Sequence, residues 1–410
     1  MSSQDRYKWE FRARFRRNAF GWRSQPAITR IREAISEIKR VRRRDPTLAG
    51  EGAVLFLERV SPAIMNIDGS SGAIGNAVNK AIHELVPMIA GAPVNDVTRE
   101  AWLERLWNAI QEDQMPYIES LAEYWGDLCV TSERASRWAD RLLEDLRMIM
   151  MIEAGKGSGF FHYQGTTACF SSLLKAGRNE EILELIENGP RSFQYYRMWG
   201  VRALLAMGKK AHALRYAEES RDGYTSSTHI SRQCQEILLS SGLSEEAYDR
   251  YALDANWKTT YLATFREVAR KFPDIDKSRI LEDLVASTPG NEGKWFAAAK
   301  WAGLYGRAIE LANTSPCDPK TLTRAARDMA QTQPRFAAEA GIAAIHWLVE
   351  GYGYEITGID VISAFDYAMQ AANNAGCGEE VFIRIREIVA REKSADHFVT
   401  KHLGRKLGLE

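Results

Sequence analysis

The residues whose types could do chemistry gather at the N-terminus, where Arg6, Lys8, Arg12, Arg14, Arg16, Arg17 and Arg23 interleave with Tyr7, Trp9, Phe11, Phe15, Phe20 and Trp22. Cationic side chains neutralise phosphates, and aromatic faces stack on unpaired bases. On this reading Arg6, Lys8, Arg12, Arg14, Arg16, Arg17, Trp22 and Arg23 contact nucleic acid or another anionic partner. A second reading is intramolecular: the aromatics anchor the segment on the body, and Arg14 and Arg16 pair with carboxylates beyond residue 45. Net charge fits either. Residues 1–44 hold fourteen Lys/Arg against four acids, a charge of +10, and the neutral chain therefore leaves −10 on the remainder.

Other motifs carry less. Gly155-Lys-Gly-Ser-Gly lacks the phosphate-loop spacing and follows no apolar strand, so it reads as a hinge. Gly69-Ser-Ser-Gly-Ala-Ile-Gly lacks a strand–turn–helix setting for a nucleophilic serine and reads as a helix-entry loop. His83-Glu84 has no second histidine one turn on, and His162 and Cys169 have no companion ligands. The five cysteines are odd in number and widely spaced, as reduced thiols of a cytoplasmic protein would be. No acid/base pair, nucleophile or metal cluster emerges, so the chain is expected not to be an enzyme and to need no cofactor. Arginines occupy the place of a signal peptide's apolar core, and no run approaches the about 18 apolar residues of a membrane span.

The elements that carry these residues read as helices throughout. Ile28, Ile31, Ile35 and Ile38 share one face of a helix over 27–44, which Pro46 ends, with Thr47 capping the next. Thr98 is the expected cap of a helix whose stripe holds Trp102, Leu103, Leu106, Trp107 and Ile110. Trp125 and Trp138 fall on further apolar stripes. Trp9 to Phe15 alternates like a strand, yet Tyr7, Phe11 and Phe15 also stand four apart as on a helix.

The second half repeats. Gly177, Gly208, Gly242 and Gly303 are each followed, five and nine residues on, by small or apolar residues: Ile182 and Ile186, Ala213 and Ala217, Ala247 and Tyr251, Ala308 and Ala312. Four residues before each glycine stands Leu173, Leu204, Leu238 or Ala299, and eight before the first three stands Cys169, Gly200 or Cys234. A glycine ends one helix in the left-handed conformation, and small residues let the returning helix lie close. One such hairpin cannot bury its own apolar face, so the pairs must stack. Weaker copies lie around Phe272–Val285, Thr332–Val349 and Gly376–Val389.

These residues resemble the tetratricopeptide-like superfamily of helical repeats over about residues 160–395. The chain lacks that family's Trp-x-x-Leu-Gly-x-x-Tyr first helix and closing proline, and its period is irregular. The resemblance implies the fold and the habit of binding other proteins, but no particular ligand residues. The expected architecture is all-α: a basic aromatic-rich arm and first helix over 1–44, a helical N-terminal domain over 45–154, an α-solenoid over 155–395 and a C-terminal capping helix over 396–410. Trp295 and Trp301 are expected in its core, with a peptide groove as their alternative place. The expected function is a scaffold binding a protein partner along the repeats, with no membrane contact. The alternative is a nucleic-acid-binding subunit of a nucleoprotein assembly, using the arm.

Overall fold

A computed structural model describes residues 7–154, 163–189, 191–221, 226–392 and 397–409, and no strand occurs among them. The chain divides into two compact units, Met1–Ser226 and Ser227–Glu410. In each, helices adjacent in sequence pack as neighbours, in the manner of a solenoid.

In the first unit α1 (Glu10–Arg14), α2 (Ser24–Arg42), α3 (Pro46–Ile64) and α4 (Ala73–Ala90) pack in turn, followed by α5 (Asp96–Gln111) and α6 (Trp125–Cys129). Ile28, Ile31, Ile35 and Ile38 are buried as their spacing requires. The caps differ from expectation. Asp45, not Thr47, accepts from the Leu48 amide, and Pro46 opens α3 at a position where its missing N–H costs nothing. Asn95, not Thr98, caps α5, by accepting from the Thr98 amide. Trp107, Trp125 and Trp138 meet edge to face, which ties α5 and α6 to α7 (Ser132–Ala154).

The Gly155–Gly159 loop lies outside the described residues; α7 and the next helix, α8 (Gly165–Ala176), pack on each other. Then come α9 (Asn179–Asn188), α10 (Arg197–Ala206) and α11 (Lys210–Glu218), in the pairs α8/α9 and α10/α11.

Among the described residues the second unit holds five pairs and a closing helix. The pairs are α12 (Ser227–Leu239) with α13 (Ser244–Ala255), α14 (Tyr261–Lys271) with α15 (Lys277–Ala286), and α16 (Phe296–Trp301) with α17 (Tyr305–Thr314). After them stand α18 (Pro319–Met329) with α19 (Pro334–Val349), and α20 (Gly358–Ala375) with α21 (Gly378–Val389). The closing helix, α22 (Phe398–Leu407), packs on α20 and α21.

One turn recurs in both units. Gly177, Gly208, Gly242, Gly303 and Gly376 all have φ between 72° and 79°. The amide after each donates to the carbonyl four residues before the glycine: Leu173, Leu204, Leu238, Ala299 and Ala372, at 2.9–3.0 Å. This is a Schellman closure, and it explains why a fixed apolar position precedes each glycine. The residue after the first four glycines holds φ near −90° and ψ near 60° (Arg178, Lys209, Leu243, Leu304), and the next helix starts at once. The residues five and nine beyond each glycine are buried, Val381 and Ile385 in the Gly376 copy included. Cys169 and Cys234 are fully buried, and a Cβ at Gly200 would stand 2.7 Å from the Tyr216 ring, so close packing accounts for the small residues there.

Between Gly242 and Gly303 the pair α14/α15 turns through Pro273 instead, with Asp276 capping α15. Hence the doubled spacing.

Candidate functional site

Two places in the described structure gather unanswered charge. The first is the head. Phe11 and Phe15 are buried against Phe56 of α3, and the buried Trp9 packs on Phe11 and fills a notch left by Gly52, where a Cβ would collide with its ring. The buried Glu37 carboxylate accepts from the Glu10 and Phe11 amides at 2.9 and 3.3 Å, which closes the start of α1. Trp9 is extended and only Glu10–Arg14 is helical, so neither a pure strand nor a pure helix period describes the buried set; Tyr7 is exposed.

The aromatic half of the head is therefore an anchor. Its cations face the other way. Lys8, Arg12, Arg16, Arg17 and Arg23 are exposed, and among the described residues none reaches a carboxylate within ion-pair distance. Arg14 pairs with Glu33 at 2.8 Å and Glu10 at 3.5 Å, both inside the head. The expected pairing of Arg14 and Arg16 with carboxylates beyond residue 45 is not made. Arg30, and more weakly Arg14, hold the Glu33 carboxyl below its ordinary range. Trp22 is 72% exposed, while its carbonyl accepts from the Asp68 amide. Arg6 lies outside the described residues. Of the expected contacts, the structure thus leaves six cations and one indole on the surface.

The second place lies between the first helices of consecutive pairs in the second unit. Lys320, Thr323, Arg324 and Arg327 recur at helical spacing along one side of α18, and Asp360, Ser363 and Tyr367 do so on α20. They line an open pocket of about 420 Å³, with Leu348 and Ile356 also in its wall. That volume is in the range of ligand sites. The stripe on α18 was visible in the sequence as spacing, but its juxtaposition with α20 depends on how two pairs stack.

Trp295 and Trp301 part company. Trp295 is fully buried and donates to the Thr288 hydroxyl, whereas Trp301 is 44% exposed, with Arg266 and Lys277 about 5 Å from its ring. Of the Gly69–Gly75 stretch, Gly69 to Gly72 is the entry loop of α4, with Gly72 left-handed, and Ala73 to Gly75 is already its first turn. Burial pushes the Cys129, Cys169 and Cys317 thiols up to about 12, which keeps them un-ionised at neutral pH. Among the described residues no three His, Cys, Asp or Glu side chains are grouped to hold a metal ion, and no helix is long and apolar enough to cross a membrane. Comparison with protein-family models and with curated protein sequences returned no match for this chain.

Proposed function

We propose that this chain is a tetratricopeptide-like scaffold that holds a protein partner along the first helices of its repeats. The observation that carries this is the α18/α20 pocket: two consecutive first helices spend their apolar sides on stacking and present facing polar stripes around a cavity. Stacked pairs offer such faces in series, which suits an extended segment of another protein. The exposed Trp301 on α16 adds an aromatic of the kind enriched where proteins meet. Co-purification tests the reading. One protein should be retained near equimolar amount on the full-length chain, and changing Trp301 and Arg324 together should release it. Retention of no protein under gentle conditions would defeat the proposal.

A second reading is favoured by the outward cations beside Trp22: nucleic acid bound through the head. Its affinity would fall steeply with salt, by a log–log slope that Arg16→Ala, Arg17→Ala and Arg23→Ala reduce together. Trp22→Ala would weaken single strands more than duplex. Absence of binding even at low salt would dispose of it.

A further inference from the structure

The α18/α20 pocket holds two carboxylates of its own, and each caps a helix. Asp318 accepts from the Thr321 amide and hydroxyl at 2.9 and 2.7 Å, which caps α18. Asp360 accepts from the Thr357 amide and hydroxyl, both at 2.8 Å, which closes the capping box of α20. Burial works against the Asp360 charge, yet the Thr357 bonds and Lys320 keep its carboxyl below the ordinary range. In each carboxylate it is Oδ2 that takes these bonds, so both side chains are tied to helix starts.

The pocket's cations are less completely engaged. Lys320 donates to the Glu355 carbonyl at 2.9 Å and stands 3.7 Å from Asp360. The Arg324 guanidinium donates to the Lys320 carbonyl and the Thr321 hydroxyl, and among the described residues it meets no carboxylate. Arg327 pairs with its chain neighbour Asp328, each about half exposed, a contact that solvent screens, and it also meets the Tyr367 hydroxyl. Thr323, Ser363 and Tyr367 add hydroxyls to the same walls. A guanidinium with donors to spare, a second held by a weak partner and three hydroxyls suit oxygen atoms bearing negative charge.

We infer that this pocket binds an oxyanion, the carboxylate or phosphate of an acidic peptide segment. The inference rests on the scaffold reading for the source of that segment, but the anion site can be tested without a partner. The probes are dye-labelled hexaglutamate, a phosphoserine-bearing glycine–serine peptide and hexaglutamine. Each is titrated against the full chain by fluorescence anisotropy, at low salt and at about 0.15 M salt. One or both acidic peptides should bind, and hexaglutamine should not; whichever binds identifies carboxylate or phosphate as the source.

The double variant Arg324→Glu with Arg327→Glu should weaken binding about tenfold or more. Arg386→Glu, an exposed site on α21 outside the pocket, should leave it unchanged. Arg324→Gln with Arg327→Gln, checked for native helix content, serves if the reversed charges disturb folding. No binding of either acidic peptide, or equal loss in the pocket and Arg386 variants, would overturn the inference. Peptide binding without any retained partner would instead leave the pocket standing and remove the scaffold.

Discussion

Arg307 on α17 forks onto Glu282 on α15, its Nε and Nη2 each donating at 2.8 Å to a different carboxylate oxygen. The relationship recurs from a helix to the helix two before it. Arg279 on α15 reaches Glu245 and Asp249 on α13, and Arg384 on α21 reaches Glu339 on α19. In the first unit Arg105 on α5 grips Glu51 and Glu58 on α3, and Arg178, at the start of α9, reaches Asp140 on α7. A fork fixes orientation as well as distance, so these pairs key the register in which successive helices stack. Each is partly solvated and energetically small. A double-mutant cycle of Arg307→Ala and Glu282→Ala should give a coupling of about 0.5 kcal/mol. A coupling of zero would mean that the fork sets no register.

The glycine turn is the stronger constraint. Gly208→Val and Gly242→Val should each destabilise the chain by about 1–2 kcal/mol in denaturant unfolding, because a branched Cβ resists positive φ. Gly75→Ala, inside α4 with open space around its Cβ position, should cost nothing or stabilise slightly. Valine variants as stable as the parent would show that the turns tolerate another conformation.

The head divides between stability and surface. Trp9→Ala should cost about 3–5 kcal/mol, since the ring fills a notch cut for it. Trp22→Ala should stay within about 0.5 kcal/mol of the parent. Similar melting temperatures for the two variants would contradict this division.

Asp113 links stability to pH. Burial raises its carboxyl above the ordinary range, against the bonds it accepts from the Ser61 hydroxyl and the Ile118 amide. The folded state therefore holds the proton more tightly than the unfolded one. That stabilisation is complete below the ordinary aspartate value and is lost as pH rises through the raised one, so the ionised group is a cost at neutral pH. Asp113→Asn should keep or raise the melting temperature at about pH 7, and any advantage should shrink towards about pH 4. An advantage that grows on acidification would reverse the assignment.

How far residues alone could be read depended on how local each feature is. The glycine turns were readable because Schellman closure, the left-handed glycine and the close second helix all fall within fourteen residues, as from Leu173 to Ile186. Caps were misplaced by two or three residues, because Asp45 and Asn95 start their helices earlier and leave Thr47 and Thr98 inside the first turn. The head defeated a single period, since Trp9 is buried from extended backbone and Phe11 and Phe15 from a single helical turn and its end. Trp295 and Trp301 are alike in type and neighbourhood, yet one is core and one surface. The oxyanion pocket joins residues as far apart as Asp318 and Tyr367, and no spacing rule announces such a meeting.

The most direct measurement of the scaffold proposal is lysine cross-linking of the full chain with its retained partner, read by mass spectrometry. Lysines report on both surfaces: Lys294, Lys300 and Lys320 stand in or beside first helices of the second unit, and Lys8 and Lys39 in the head. An equimolar protein partner should be cross-linked through the first-helix lysines, with the head lysines joined only to this chain. Cross-links to a partner confined to Lys8 and Lys39, or no equimolar protein at all, would contradict the proposal.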